Sequence, residues 1–268
     1  MRANDVPTSL QDAGHPEGHD YDVGSPHLAH PQLRNWVVGT IRGAIADLFR
    51  SKGSVRVLEI GAGHGAFTDH VLAAGASVTV TEMSRASADL LRSRFAHNPA
   101  ARVEFDATGE LDALGGQQFD LILCTSVLHH IPDYLAAIES WMTLITPGGT
   151  FLSFQDPLWY PRRSRLNLAL DRGAYFAWRL GRGDVVQGAR SVLRRARKAY
   201  DEQNPRDMVE YHVLRQGCDE QAIAELLRKH FDTVEVLPYW STQSRALQVA
   251  GDKLRGRSTF AIRATGAR

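Results

Sequence analysis

The chain has little with which to build a covalently or metal-stapled scaffold: its 268 residues hold two cysteines, Cys124 and Cys218. Neither CxxC nor Cys/His spacing for a structural zinc is present. That scarcity excludes a disulfide-framed secreted module and predicts a reduced, cytoplasmic protein. Charge of one sign is missing as well. Thirty-one Lys and Arg stand against thirty Asp and Glu, a net of +1, so no whole-chain field argues for nucleic acid or a membrane. No window approaches the ~20 apolar residues of a bilayer span, and the opening stretch MRANDVPTSLQDAGHPEGHDYD contains no apolar run of signal-peptide length. Internal repeats are absent too. What remains, 43% hydrophobic and 23% charged, is the composition of a globular chain with one large domain, or a domain and a cap.

Residues 1–30 are rich in Gly, Pro, His and Asp without hydrophobic period and read as a flexible N-terminal arm. Its end, Tyr21 to His27, sets turn formers beside an aromatic and a histidine, which suits a linker or a segment folding over a ligand. From Pro31, Leu33, Val37, Ile41, Ala44, Ile45 and Leu48 recur at helical spacing behind a proline that needs no donor in the first turn. Val55–Ile60 then predicts a strand, Gly61-Ala62-Gly63-His64-Gly65 a turn, and Phe67, Val71 and Leu72 a helix. Ser77–Thr81, Val103–Phe105, Phe119–Cys124 and Thr150–Phe154 continue as strands, with helices ending at Leu90–Phe95 and covering Tyr134–Ile145. Such alternation predicts right-handed crossovers and a parallel, doubly wound α/β sheet over 31–156. Residues 157–218 break the rhythm. They are far longer than a bare connection of ~2–6 residues and carry thirteen Lys and Arg against six Asp and Glu, so they read as a basic, helical insertion. Residues 219–268 complete the core with a helix over Asp219–His230 and strands at Thr233–Leu237 and Thr259–Arg263, the stretch between those strands looping or helical.

A glycine turn between a first strand and a helix lets the backbone approach a ligand while the helix start offers unpaired N–H groups. Alone it is ambiguous, because Gly61-x-Gly63-x-x-Ala66 also satisfies a dinucleotide fingerprint. Further features favour a cationic nucleoside. Glu59 precedes the first glycine by two residues, where a carboxylate faces an ammonium more comfortably than a pyrophosphate. Glu82 follows the second strand and can accept from both ribose hydroxyls. Asp106-Ala107 follows the third strand, where an acid can accept from an adenine amino group, and Thr146-Pro147-Gly148-Gly149 turns the chain into the fifth strand.

Together these residues resemble the class I S-adenosylmethionine-dependent methyltransferases of small-molecule type. The family's acid-x-Gly-x-Gly-x-Gly pattern is matched by Glu59 to Gly65, its ribose acid by Glu82, its adenine acid by Asp106, and its Leu-x-Pro-Gly-Gly turn by Leu144 to Gly149. The likeness is close over about 50–156 and loose over the terminal strands. It implies a Rossmann-like doubly wound seven-stranded sheet with its last strand antiparallel, a helical cap inserted after strand five, and S-adenosyl-L-methionine as cofactor. The cofactor-binding set it implies is Glu59, Gly61, Ala62, Gly63, Gly65, Glu82, Met83, Asp106, Ala107 and Cys124. Cys124 has no obvious base and reads as a core or pocket-wall residue rather than a nucleophile.

Methyl transfer is an in-line displacement, so an enzyme mainly aligns a nucleophile with the methyl group and excludes water. A hydroxyl acceptor also benefits from a base near working pH. His129 and His130, after the strand-four end, are the catalytic candidates, against a reading in which they only pack or bond the backbone; His27 and His30 are rivals from the arm. No carboxylate at a recognised ligand spacing points to a metal. The expected activity is therefore methylation of a small molecule, O-methylation of a glycosyl or secondary-metabolite hydroxyl first. N- or C-methylation and a silent S-adenosylmethionine-binding sensor or scaffold stand as alternatives. The aromatic-rich, basic insertion reads as a lid drawing an anionic acceptor, with peripheral membrane contact through 162–198 or an assembly role as rivals. A nucleic-acid substrate is disfavoured, since Cys124-Thr125-Ser126-Val127 stands where a base-methylation motif of the Asn-Pro-Pro-Tyr kind would lie.

Overall fold

The structure, a computed structural model, describes residues 25–174, apart from 166 and 172, and residues 216–268. Two helices open it, α1 (Pro26–Ala29) and α2 (Pro31–Lys52), each with a proline in its first turn. The inner stripe of α2 is the one its spacing predicts: Leu33, Val37, Ile41, Ala44, Ile45 and Leu48 are all buried, and the helix ends at Gly53 in the left-handed region. Seven strands follow, β1 (Arg56–Ile60), β2 (Ser77–Glu82), β3 (Ala101–Phe105), β4 (Phe119–Thr125), β5 (Ile145–Pro157), β6 (Phe231–Tyr239) and β7 (Thr259–Ala267). Their order in the sheet is β3-β2-β1-β4-β5-β7-β6. Strands β1 to β5 pair in parallel, and β7 runs antiparallel to both neighbours, β5 and β6. Chain order reverses between β1 and β4, the switch point at which open α/β sheets bind ligands beyond their carboxyl ends.

Side chains alternate across each strand, and each face of the sheet has its own core. Leu121 and Leu123 of β4 join Val57, Val78, Val80, Leu152 and Phe154 under α2, α3 (Thr68–Ala73) and α4 (Arg85–Phe95). Ile122 and Cys124 join Leu58, Phe151, Phe260 and Ile262 under α5 (Tyr134–Trp141) and α6 (Glu220–Leu227). Side-chain caps fix where these helices begin. Ser84, Asp133 and Asp219 accept from backbone N–H groups at the starts of α4, α5 and α6, and Ser244 does so for α7 (Arg245–Lys253). That last helix fills the stretch the sequence leaves as loop or helix.

Strand β5 departs from expectation twice. Thr146-Pro147-Gly148-Gly149 is not a turn before the strand but a bulge inside it, because the pairing jumps from Phe119↔Ile145 to Leu121↔Thr150. Asp120 ties the bulge down: its carboxylate accepts from the Arg56 amide at 2.9 Å, Lys52 Nζ at 3.0 Å and Thr146 Oγ1 at 2.8 Å. A second bulge lies at the other end, where Ser153↔Ile262 is followed by Asp156↔Phe260.

Residues 25–30, read from sequence as the end of a flexible arm, form a packed element. His27 and His30 are buried, and His30 Nε2 lies 2.6 Å from the Thr242 carbonyl. The insertion that begins at 157 leaves and re-enters the core at one point. Leu158 bridges Cys218, the Tyr160 amide donates to Gln216 at 2.6 Å, and the Cys218 amide donates to Pro157 at 2.9 Å. Arg162 clasps Asp219 and Glu220 across that neck. The centre of the expected cap, 175–215, lies outside the described residues, as does the arm before Ser25.

Candidate active site

The three glycines of the turn do three different jobs. All have positive φ, at 65° for Gly61, 59° for Gly63 and 78° for Gly65, so each favours glycine on backbone grounds. Their surroundings differ. A Cβ on Gly61 would stand 2.8 Å from Val127 Cγ2, and one on Gly65 would stand 2.8 Å from Leu91 Cδ2 of α4. A Cβ on Gly63 meets nothing within 4 Å. Gly61 thus lets the turn close on the segment after β4, Gly65 lets α4 pack against it, and Gly63 alone borders open space. That is the cradle an approaching nucleoside requires.

Carboxylates line this turn. Glu59, at 3% exposure, accepts from the Thr68 hydroxyl at 2.6 Å, which fastens the start of α3 to β1. Glu82 accepts from the Gly63 amide. Burial pushes both Glu59 and Glu82 up to about 7, against hydrogen bonds that hold them down. The Asp106 amide donates to the Glu82 carbonyl at 2.9 Å, which draws the three predicted acids into one region. The Asp106 carboxylate itself turns into its own loop, accepting from the amides of Gly109 at 3.0 Å and Leu111 at 3.1 Å and from Thr108 Oγ1. Met83 lies against Gly109 of that loop, and Ala62 and Ala107 are half-buried. Cys124 is 0% exposed, its thiol 3.8 Å from the Leu152 carbonyl and raised by burial. It is a core residue and presents no surface to the cradle.

Beyond the β4 end the structure assembles a pair that sequence reasoning named only in half. The turn Leu128–His130 carries His129, whose Nδ1 lies 2.8 Å from Asp156 Oδ1. The same oxygen accepts from the His129 amide at 3.1 Å, and Oδ2 accepts from Ser153 Oγ at 3.0 Å. The His130 ring lies beside that of His129, centroids 4.0 Å apart and planes tilted by 42°. The second bulge makes the pair possible. One extra residue between Ser153 and Asp156 reverses the side-chain alternation, so Asp156 shares the face of Ser153 instead of opposing it. The bulge residue Gln155 has φ 68° and Ser126, at the β4 exit, has φ 61°. Two non-glycine residues in the left-handed region thus flank the pair, a concentration of strain expected where geometry serves a site. Tyr239 braces Gln155, its hydroxyl accepting from the Gln155 amide and donating to Oε1, both at 3.0 Å.

Burial opposes charge on both partners. It lowers His129 to about 4 and raises Asp156 to about 7. Above that value Asp156 is ionised, the proton sits on Nδ1, and the His129 lone pair is on Nε2. The rivals from the N-terminal segment divide. His27 stacks on Phe67, centroids 5.9 Å apart, and a positive charge on it would hold the His129 pKa down, whereas His30 is committed to Thr242. No group of three or more metal-ligating side chains occurs among the described residues, and no described helix is long and apolar enough to cross a membrane.

A family profile described as methyltransferase domain matches residues 58–151. A ubiquinone biosynthesis O-methyltransferase of Azotobacter vinelandii is 29% identical over 127 residues, 46% of this chain and 50% of that protein. The chain spans about half the length of the curated relatives it matches. Among solved structures, the N-methyltransferase NodS of Bradyrhizobium japonicum with bound S-adenosyl-L-homocysteine superposes with a TM-score of 0.52 at 18% identity, covering 97% of this chain and 99% of that one. The CurJ carbon methyltransferase gives 0.54 at 17% identity, covering 91% and 57%. The seven-stranded sheet with β7 antiparallel is the fold this chain shares with these structures, and residues 58–151, from β1 into β5, are similar to the methyltransferase domain of that profile.

Proposed function

We propose that this chain methylates a hydroxyl of a small-molecule acceptor, with S-adenosyl-L-methionine as methyl donor and His129 as the base. The His129–Asp156 pair at the carboxyl end of β4 and β5, beside the glycine cradle, carries this reading. Bound in the cradle, the cofactor supplies an electrophilic methyl group on a sulfonium. Gly63 leaves room for the backbone to approach it, and Glu82, Asp106 and Ala107 surround the nucleoside end. Glu59 holds the turn to β1 through Thr68 and adds negative potential toward a cationic ligand. His129 takes the acceptor hydroxyl proton on Nε2 while Asp156 fixes the tautomer and steadies the imidazolium that forms. Burial of both groups keeps water from competing. His130, its ring tilted against that of His129, limits the ring's orientation.

A glycosyl or secondary-metabolite hydroxyl suits the size of the inserted segment, and the positive balance of 157–218 favours an anionic acceptor. The relatives named O-methyltransferases favour oxygen as the acceptor atom. Transfer to nitrogen or carbon is the second reading, favoured by the N- and C-methyltransferase neighbours. Calorimetry with S-adenosylhomocysteine, followed by transfer of label from S-adenosylmethionine into a fractionated small-molecule extract, tests both levels. We expect binding and a labelled methyl ether. Label on nitrogen or carbon supports the second reading, and label only in protein or nucleic acid refutes both.

A further inference from the structure

Among the described residues few buried side-chain polar atoms lack a hydrogen-bond partner, and two of them lie toward the carboxyl end of the sheet on the α2 side. One is Nδ1 of His27, a residue only 5% exposed. The other is Oγ1 of Thr125, the last residue of β4, which continues the alternation of Leu121 and Leu123 into the layer beneath α2. His27 is held in place deliberately. Its short helix starts on Pro26, the Ser25 carbonyl accepts from the amides of Leu28 and Ala29 at 3.0 Å, and His30 anchors the far end on Thr242. The ring is stacked on Phe67, two residues past the last glycine of the cradle, with planes 22° apart. A positive charge on His27 would also hold the His129 pKa down. His27 is thus fixed against the residue that follows the cradle and lies within electrostatic reach of the proposed base.

A fold keeps a buried, unpaired nitrogen at a cost in stability, and such atoms call for a partner that the free protein does not supply. Burial holds His27 down at about 4, so the imidazole is neutral at working pH. Neutrality fits the place: a second cation beside a sulfonium would repel it, whereas a neutral ring can offer one directional hydrogen bond. Its stacking partner Phe67 supplies an apolar wall.

We infer that His27 is a ligand-contacting residue, its Nδ1 reserved for a hydrogen bond to an oxygen of a bound ligand, with the Thr125 hydroxyl serving the same ligand. The inference rests on the methyltransferase reading above. Two ligand oxygens share this chemistry, the carboxylate at the amino-acid end of the cofactor and a hydroxyl of the acceptor. It makes the N-terminal helix a wall of the site rather than a linker to it.

The test uses the full chain with His27→Phe, which keeps the stacked ring and removes both nitrogens, and His27→Asn, which restores a polar atom near Nδ1. If the partner is the carboxylate, His27→Phe weakens S-adenosylhomocysteine at least tenfold by calorimetry but leaves 5′-methylthioadenosine, which lacks that group, unchanged. If the partner belongs to the acceptor, both affinities hold and label transfer into the small-molecule extract falls at least tenfold. In either case His27→Asn recovers part of the loss, and the ligand-free His27→Phe protein melts about 2–4 °C higher, because an unpaired buried nitrogen has been removed. Unchanged affinity and turnover, or a lower ligand-free melting temperature, overturns the inference. Wild-type protein that fails to bind S-adenosylhomocysteine overturns the methyltransferase reading instead, and the two failures are read on different samples.

Discussion

Replacing Gly63 by alanine should separate ligand affinity from stability, which the same change at Gly65 cannot do. In the free protein the new methyl at Gly63 enters open space, so its cost is the left-handed backbone alone. That is ~1–2 kcal/mol, offset by ~0.4–1 kcal/mol from the stiffer unfolded chain. The net, about 1 kcal/mol, lowers the melting temperature by about 2–4 °C in a chain of this size. At Gly65 the same backbone cost is joined by a methyl 2.8 Å from Leu91 Cδ2 and 3.0 Å from Phe95 Cε2. Overpacking of that kind adds ~1–3 kcal/mol, for a total of about 2–4 kcal/mol out of the ~5–15 kcal/mol that holds a typical domain folded. Binding should rank the other way. The Gly63 methyl occupies the cradle and should weaken S-adenosylhomocysteine by about tenfold to a hundredfold, equivalent to ~1.4–2.7 kcal/mol. Urea denaturation and calorimetry on the two variants measure both quantities. If Gly63→Ala binds S-adenosylhomocysteine as wild type does, the ligand does not lie against this turn and the assignment of the cradle is wrong.

Asp156→Asn should retain cofactor affinity and lose ~10²–10⁴-fold in turnover, since the amide can present the wrong tautomer to His129; a loss of affinity equal to the loss of rate would reduce Asp156 to a structural role. In the wild type, turnover should rise with pH through about 7, as Asp156, raised to that value by burial, gives up its proton and leaves the His129 lone pair on Nε2. A flat profile from pH 6 to 8 would contradict it. Asp120→Ala is the stability control. Its carboxylate is buried, yet the Arg56 amide, Thr146 and Lys52 hold its pKa below the usual carboxylate value. Its contribution is therefore present above the unfolded carboxylate pKa and lost as pH falls through the lowered one. The variant should lose ~2–4 kcal/mol in urea at pH 7, with the Arg56 amide and Thr146 losing their acceptor and Lys52 its carboxylate partner, while S-adenosylhomocysteine affinity stays unchanged because Asp120 lies near the start of β4, at the end opposite the cradle.

The sequence makes legible whatever is local. A glycine run after a β-branched strand, an acid at the end of each early strand, and a proline opening a helix each specify conformation within a few residues; the Gly63 amide reaches Glu82, and Glu59 is held by Thr68. The partner of His129 was not legible, because Asp156 reaches it only through a one-residue bulge, and without that bulge the alternation of β5 sends it to the opposite face. A Gln in the left-handed region leaves no sequence mark of the kind a glycine leaves. The packing of α1 was hidden for a different reason. Four helical residues carry no period, and what fixes them is long-range, from His30 to Thr242 and from His27 to Phe67. Asp106 stands between these cases: the sequence locates it after β3, but its oxygens are taken by the amides and hydroxyl of its own loop, a choice that composition does not record.

The neck formed by Leu158, Tyr160, Gln216 and Cys218 changes how freely this chain can vary. Because both ends of the segment are fastened to each other beside β5, the sheet senses only that they meet. The entropy of closing a loop grows as the logarithm of its length, so doubling the segment would cost the core only ~0.6 kcal/mol. Selection can therefore lengthen, shorten or exchange residues 163–215 almost independently of the cofactor machinery, much as a tool holder accepts different bits. A graft from a chain of the same fold should be accepted wherever the Arg162 clasp on Asp219 and Glu220 is retained.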